Sequence, residues 1–142
     1  YVGIVADVTA DHEYRRQLEH VAYHDRLTGL PNRVLLADRL DIAMAQCLRH
    51  EQALAVVYLD LDGFKAVNDL HGHEMGDRML IEIANRMKNV LRESDTLSRM
   101  GGDEFVVTLT GFDGALEVER VVQAIQGAFA PTEISEGTAH VA

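Results

Sequence analysis

The chain has 142 residues, of which 47% are apolar and 25% charged, and its formal net charge is -10 at pH 7. That length holds one hydrophobic core plus a short flanking segment, and the composition excludes disorder as the default state. So acidic a surface repels polyanions, which argues against a nucleic-acid polymer as the main partner but leaves room for a small phosphorylated ligand held through metal ions. No apolar run reaches the length of a membrane span, and the first residues lack the pattern of a secretory signal, so a cytoplasmic setting is expected. The single cysteine, Cys47, forms no internal disulfide and supplies no thiolate cluster for zinc.

Tyr1 to Val8 (YVGIVADV) reads as a strand, and Thr9, Ala10 and Asp11 offer a start for a helix over Glu13 to His24. A lone strand cannot bury both its faces. Residues 1–9 are therefore expected to close an upstream domain, residues 10–24 to form a linker helix, and residues 25–142 to form the main domain. Tyr14, Leu18 and Val21 share one face at helical spacing, which suits either pairing with a second copy or packing on the chain's own domain.

After the punctuation of Thr28 to Asn32, the spacing of Leu36, Leu40, Ala43, Met44, Cys47 and Leu48 predicts a second helix with Cys47 in its core stripe. The continuous apolar run Ala53 to Leu59 predicts a central strand covered on both faces, ending in Asp60, Leu61 and Asp62. Met75, Met79, Leu80, Ile83, Ala84, Met87, Val90 and Leu91 trace the buried stripe of a long amphipathic helix, in which the methionines pack. Thr96 to Met100 and Glu104 to Leu109 flank Gly101 and Gly102, the pattern of a hairpin with a two-residue Gly-Gly turn. A further amphipathic helix is expected from about Ala115 to Phe129, and Thr138 to Ala142 begins a strand-like segment.

Asp60 stands where a buried strand delivers a carboxylate to the sheet's end, and Asp103 and Glu104 follow a tight turn. Carboxylates grouped in this way hold hard divalent cations, which can neutralise a triphosphate and lower the pKa of an attacking hydroxyl. Taken alone, an acidic hairpin is more often a solvated turn. The seven histidines include His20 and His24 one helical turn apart and His71 and His73 flanking Gly72, but neither pair has the further ligands that zinc takes, and they read as surface or structural residues.

Context changes the reading of the hairpin. Arg99–Phe105 (RMGGDEF) matches the signature motif of the GGDEF family, Asp25–Arg33 (DRLTGLPNR) resembles its opening motif, Asp60–Asp69 (DLDGFKAVND) its metal and nucleotide segment, and Gly72–Asp77 (GHEMGD) its next block. Four blocks in the right order are far more specific than any one. The resemblance implies a palm-like α+β fold with a mainly antiparallel sheet packed by helices, its last strand and a helix bearing triphosphate-holding lysine and arginine lying beyond Ala142. It implies a diguanylate cyclase that condenses two GTP into cyclic di-GMP and pyrophosphate in a homodimer, using two Mg2+ or Mn2+ per active site. A catalytically silent module that binds GTP or cyclic di-GMP is the alternative, and a purely structural dimerisation piece a third.

Carried over by position, the resemblance implies metal ligation by Asp60, the Leu61 carbonyl, Asp103 and Glu104, with Asp103 also assisting deprotonation of the ribose 3′ hydroxyl. Phe64, Lys65 and Gly102 would border the phosphates. Asn68 and Asp77 would read guanine, the amide donating to O6 and the carboxylate accepting from N1 and N2; Asp77 also reads as a charge favoured in its helix's first turn. Arg92 and Asp95, separated by two residues and placed before Gly101, match the family's product-inhibition site, with Arg120 as a weaker candidate second arm. The spacing favours that reading over the simpler one, in which Arg92 is a helix C-terminal cation paired with Asp95. Residues 1–9 resemble the end of a PAS-like domain, which implies an upstream sensory partner.

Overall fold

The computed structural model describes the backbone of residues 2–129 and 137–141 and the side chains of residues 10–128. The first element is a helix, α1, over Val2–Tyr23. Of the strand expected from Tyr1 to Val8, Val2 to Val8 lie in this helix instead, and Tyr1 lies outside the described residues. An apolar run this short is compatible with either geometry. Tyr14, Leu18 and Val21 are 62%, 51% and 49% exposed, so the stripe does not pack on its own domain.

Helix α2 spans Arg33–His50. Asn32 starts it: its side-chain oxygen accepts from the amides of Val34 and Leu35 at 3.0 and 3.1 Å, while its Nδ2 donates to the Ala22 carbonyl at 2.7 Å. One residue thus caps α2 and ties it to the end of α1. Only Leu36 and Cys47 of the expected stripe are buried; Met44 and Leu48 face solvent, because α2 covers one part of the sheet and its stripe is wider than that contact.

The sheet has four antiparallel strands, β1 Leu54–Leu61, β2 Thr96–Gly101, β3 Glu104–Thr110 and β4 Gly137–Val141, in the order β2-β3-β1-β4. Its inner face carries Ala55, Val57, Leu59, Leu97, Phe105, Val107 and Leu109, all buried in one cluster with residues of the helices α4 (His73–Val90) and α5 (Ala115–Phe129). The other face is covered only in part. Along β1 burial alternates, and Tyr58 is 53% exposed, so the expected cover on both faces is absent near the strand's end. That openness is what exposes Asp60.

Between β1 and α4 lies an eight-residue helix, α3, over Phe64–His71, which the periodicity did not mark. Gly72, at φ +88, breaks the chain between α3 and α4, a conformation a side chain would strain. On α4, Leu80, Ile83, Ala84 and Met87 are buried as expected, but Met75 is 44% exposed. Among the described residues no helix is long and apolar enough to cross a membrane.

Candidate active site

Three carboxylates meet at one end of the sheet. Asp60 sits inside β1, one residue before its end, directly opposite Glu104 on β3. Antiparallel partners share a face, so both side chains project from the open side of the sheet. Asp103 lies in the turn itself. The two turn residues are Gly102 and Asp103, since Gly101 belongs to β2 and pairs with Glu104 across a bulge at Met100; the expected Gly-Gly turn is shifted by one residue. Gly102 takes φ +51, a left-handed value at which a side chain is disfavoured. The Leu61 amide donates to the Asp103 carbonyl at 3.3 Å, fastening strand and turn together.

The electrostatics of the cluster follow from that crowding. Partial burial raises the Asp103 carboxyl above its ordinary value; a bond with its own backbone works the other way, and Asp60 and Glu104 add like charge. Among the described residues no three His, Cys, Asp or Glu side chains form a ready-made metal cage. The donors nevertheless fit a hard divalent cation, which takes carboxylate oxygens on one side, leaves others to water or phosphate, and relieves the mutual repulsion.

The strand leads into the start of α3. Gly63, at φ +79, precedes α3 without a side-chain cap, so the first-turn amides, including those of Phe64 and Lys65, have no partner within the helix. One turn further on, the Asn68 side-chain oxygen is buried and has no hydrogen-bond partner. Such an atom is costly until a donor reaches it. Gly76 of α4 closes against it: a Cβ there would stand 1.9 Å from that oxygen and 3.3 Å from the Phe64 ring. Asp77 follows Gly76, is exposed, and lies beyond the first turn of α4, where Glu74 stands instead.

Two features of the site were not legible beforehand. One is the role of Gly76, which the GHEMGD block contained but did not explain. The other is the bond between Arg99 and Asp25. The Arg99 Nη1 donates to Asp25 at 2.8 Å, while its Nε and Nη2 donate to the Gly102 carbonyl at 3.1 and 2.7 Å. Asp25 in turn accepts from the Thr28 amide and hydroxyl at 2.8 and 2.7 Å. Burial pushes its carboxyl up, but the Thr28 bonds and then Arg99 outweigh this and hold it below its ordinary value.

Arg92 and Asp95 adjoin each other, the Asp95 carboxylate buried and the Arg92 side chain partly exposed. The Asp95 side chain has no exposure, and its oxygens accept from the Arg92 amide at 2.9 Å and guanidinium at 3.5 Å. The guanidinium also donates to the Thr110 carbonyl at 3.1 Å and lies 3.6 Å from Glu117. His20 and His24 stack ring on ring, 4.2 Å apart.

With this geometry in place, the comparisons identify the class. Residues 22–141 match the family described as diguanylate cyclase, GGDEF domain, and the chain belongs to that family. It is 49% identical over 113 residues to the bifunctional diguanylate cyclase/cyclic di-GMP phosphodiesterase MucR of Pseudomonas aeruginosa, covering 78% of this chain and 16% of that protein. It is 42% identical over 125 residues to the diguanylate cyclase TpbB of the same species, covering 85% and 28%. The chain therefore spans less than a third of either relative. Among solved structures, the GGDEF domain of TpbB superposes with a TM-score of 0.75 at 35% identity over 83% of this chain and 72% of that one. The coiled coil and GGDEF domain of DgcB from Caulobacter crescentus, in complex with c-di-GMP, gives 0.84 at 25% identity over 99% and 78%.

Proposed function

We propose that this domain condenses two GTP molecules into cyclic di-GMP and pyrophosphate, each 3′ hydroxyl attacking the α-phosphate of the other nucleotide. The observation that carries the reading is the meeting of Asp60, Asp103 and Glu104 beside the uncapped start of α3. When bound, two Mg2+ or Mn2+ ions neutralise the triphosphate and polarise the α-phosphorus. Asp60, Asp103, Glu104 and the Leu61 carbonyl are the groups that would hold them. Asp103, whose raised proton affinity suits a base, accepts the proton of the 3′ hydroxyl. The amides of Phe64 and Lys65, with Gly102, border the phosphates. Asn68 and Asp77 read the guanine edge, Asn68 donating through its amide nitrogen to O6 and Asp77 accepting from N1 and N2.

One such domain supplies one nucleotide, so turnover takes a homodimer in which two half-sites face each other. The exposed stripe of Tyr14, Leu18 and Val21 supports pairing of α1 with a second copy, a connection through which an upstream sensory domain would set the distance between half-sites. Arg92 and Asp95 form the product-inhibition site, Arg92 exchanging its internal partners for a guanine. GTP and its product are the small-molecule partners, in the cytoplasm.

The test is chromatography of the products formed by the full-length parent from GTP and Mg2+. Metal-dependent cyclic di-GMP that disappears in Asp60→Asn and Asp103→Asn is expected. GTP bound but unconverted at high protein concentration would instead mark a silent binding module.

A further inference from the structure

A cavity of about 460 Å3 lies between α2, from Arg39 onward, and the outer face of the sheet where β2 begins and β3 ends. None of Asp60, Asp103, Glu104, Arg92 and Asp95 lines it. A sheet face beneath a helix is ordinarily apolar, but this one is a row of hydroxyls. Thr108 and Thr110 project from the same side of β3, and Thr96 stands opposite Thr108 on β2. Thr108 is 6% exposed and its hydroxyl has no hydrogen-bond partner. A buried hydroxyl in that state gains from any ligand that reaches it.

The facing wall is cationic. No carboxylate lines the cavity, although 23 of the 142 residues are acidic. Arg39, Gln46 and His50 share one face of α2, and Arg39 makes no ion pair or hydrogen bond among the described residues. A guanidinium without a partner takes phosphate well, and a hydroxyl, which both donates and accepts, is matched by another hydroxyl. A molecule that suits both walls therefore joins an anionic group to several hydroxyls. A phosphorylated sugar does so, and Leu40 and Ile42 offer apolar contact to the carbon face of its ring.

We infer that this cavity binds a phosphorylated pentose, free or as part of a mononucleotide, with its phosphate on Arg39 and its ring hydroxyls on Thr96, Thr108 and Thr110. Occupied, the site ties α2 to β2 and β3 and stabilises the domain by linkage. It is separate from the carboxylate cluster and does not depend on the cyclase reading.

Calorimetry and thermal melts of the protein in a chelator, with ribose 5-phosphate, ribose and inorganic phosphate in turn, test the site. Without a divalent cation the carboxylate cluster repels a phosphate, so binding there does not interfere. Ribose 5-phosphate is expected to raise the melting temperature and to bind about tenfold or more tightly than either fragment. The double variant Thr108→Val, Thr110→Val keeps the shape of the wall and is expected to weaken ribose 5-phosphate about tenfold while leaving inorganic phosphate unchanged. Arg39→Ala, at an exposed position, weakens both, and circular dichroism verifies the fold of each variant. Arg92→Ala removes no lining side chain and is expected to bind ribose 5-phosphate as wild type does. AMP tells the two sources apart: tighter binding than ribose 5-phosphate assigns a mononucleotide, weaker binding the free sugar phosphate, and either supports the site. A wild type that ribose 5-phosphate neither binds nor stabilises overturns it. Inorganic phosphate binding as tightly as the sugar phosphate overturns the ligand class, undiminished binding by the threonine variant overturns the hydroxyl contact, and loss of binding in Arg92→Ala moves the ligand out of this cavity.

Discussion

Arg99 and Asp25, 74 residues apart in sequence, meet at 2.8 Å, and the same guanidinium closes on the Gly102 carbonyl. One planar fork thus ties the loop after α1 to the turn that carries Asp103. The two side chains are only 12% and 17% exposed, so this is not an ordinary surface pair. Lysine in place of Arg99 keeps the charge but cannot serve both acceptors in one plane.

Removing one member leaves the other partly buried without compensation. Asp25→Asn is expected to destabilise the protein by about 2–4 kcal/mol at neutral pH, read as a lower urea midpoint at unchanged slope. Because the folded carboxyl titrates below its ordinary 3.8, its contribution is fully present above that value and is lost as pH falls through the lower folded one. The gap between wild type and variant should close in acid. A gap that persists undiminished there means that ionised Asp25 is not its source.

Asp103 has the opposite sign. Burial first, then Asp60 and Glu104, hold its carboxyl above 3.8, so its favourable contribution is complete below that value and is lost as pH rises through the folded one. At neutral pH the metal-free cluster works against the fold. Asp60→Asn is therefore expected to raise the melting temperature in a chelator, while Mg2+ stabilises wild type and scarcely moves the variant. Thermal melts with Mg2+ and with chelator decide it, and an equal response from both proteins counts against cation binding by these carboxylates.

Local pattern made much of this legible. The bounds of α5 and the two hairpin strands follow from apolar periodicity, because each buries one stripe or one face against the same core. Helix α3 did not show because it is only eight residues long and only Phe64 and Val67 of it pack against the core, too short a stripe to establish a period. The first residues of α1 misled because a short apolar run fits strand and helix alike. The motifs pointed to Asp60, Asp103 and Glu104, and the register brought them together. The Arg99–Asp25 bond had no spacing to announce it, because it depends on where the sheet places two distant segments.

Gly76 governs how closely α4 approaches Asn68. A methyl there would meet the Asn68 oxygen at 1.9 Å, and that oxygen is the far end of a side chain that can turn away. Gly76→Ala is accordingly expected to displace the amide rather than unfold the domain. GTP affinity should fall by about tenfold or more, with a much smaller shift in the urea midpoint. Equal losses in Gly76→Ala and in Gly76→Ala with Asn68→Ala would fit, because the second change removes what the first displaced. A Gly76→Ala protein that binds GTP normally would remove Asn68 from base recognition.

Thr108 lies on the face of the sheet beneath α2, 6% exposed, with its hydroxyl buried and unpartnered; the Ser98 hydroxyl on β2 is in the same state. Burying a hydroxyl without a bond opposes folding, and valine keeps the shape while removing the oxygen. Thr108→Val is expected to stabilise the protein by about 1 kcal/mol, and Ser98→Ala to do so in the same direction. Thr108→Ser makes the control, because it keeps the hydroxyl and loses the methyl, so it should destabilise. Urea unfolding of the three variants gives the signs directly. If Thr108→Val lowers the midpoint, the hydroxyl has a partner in solution, and the cavity of about 460 Å3 between α2 and the sheet is where that partner would sit.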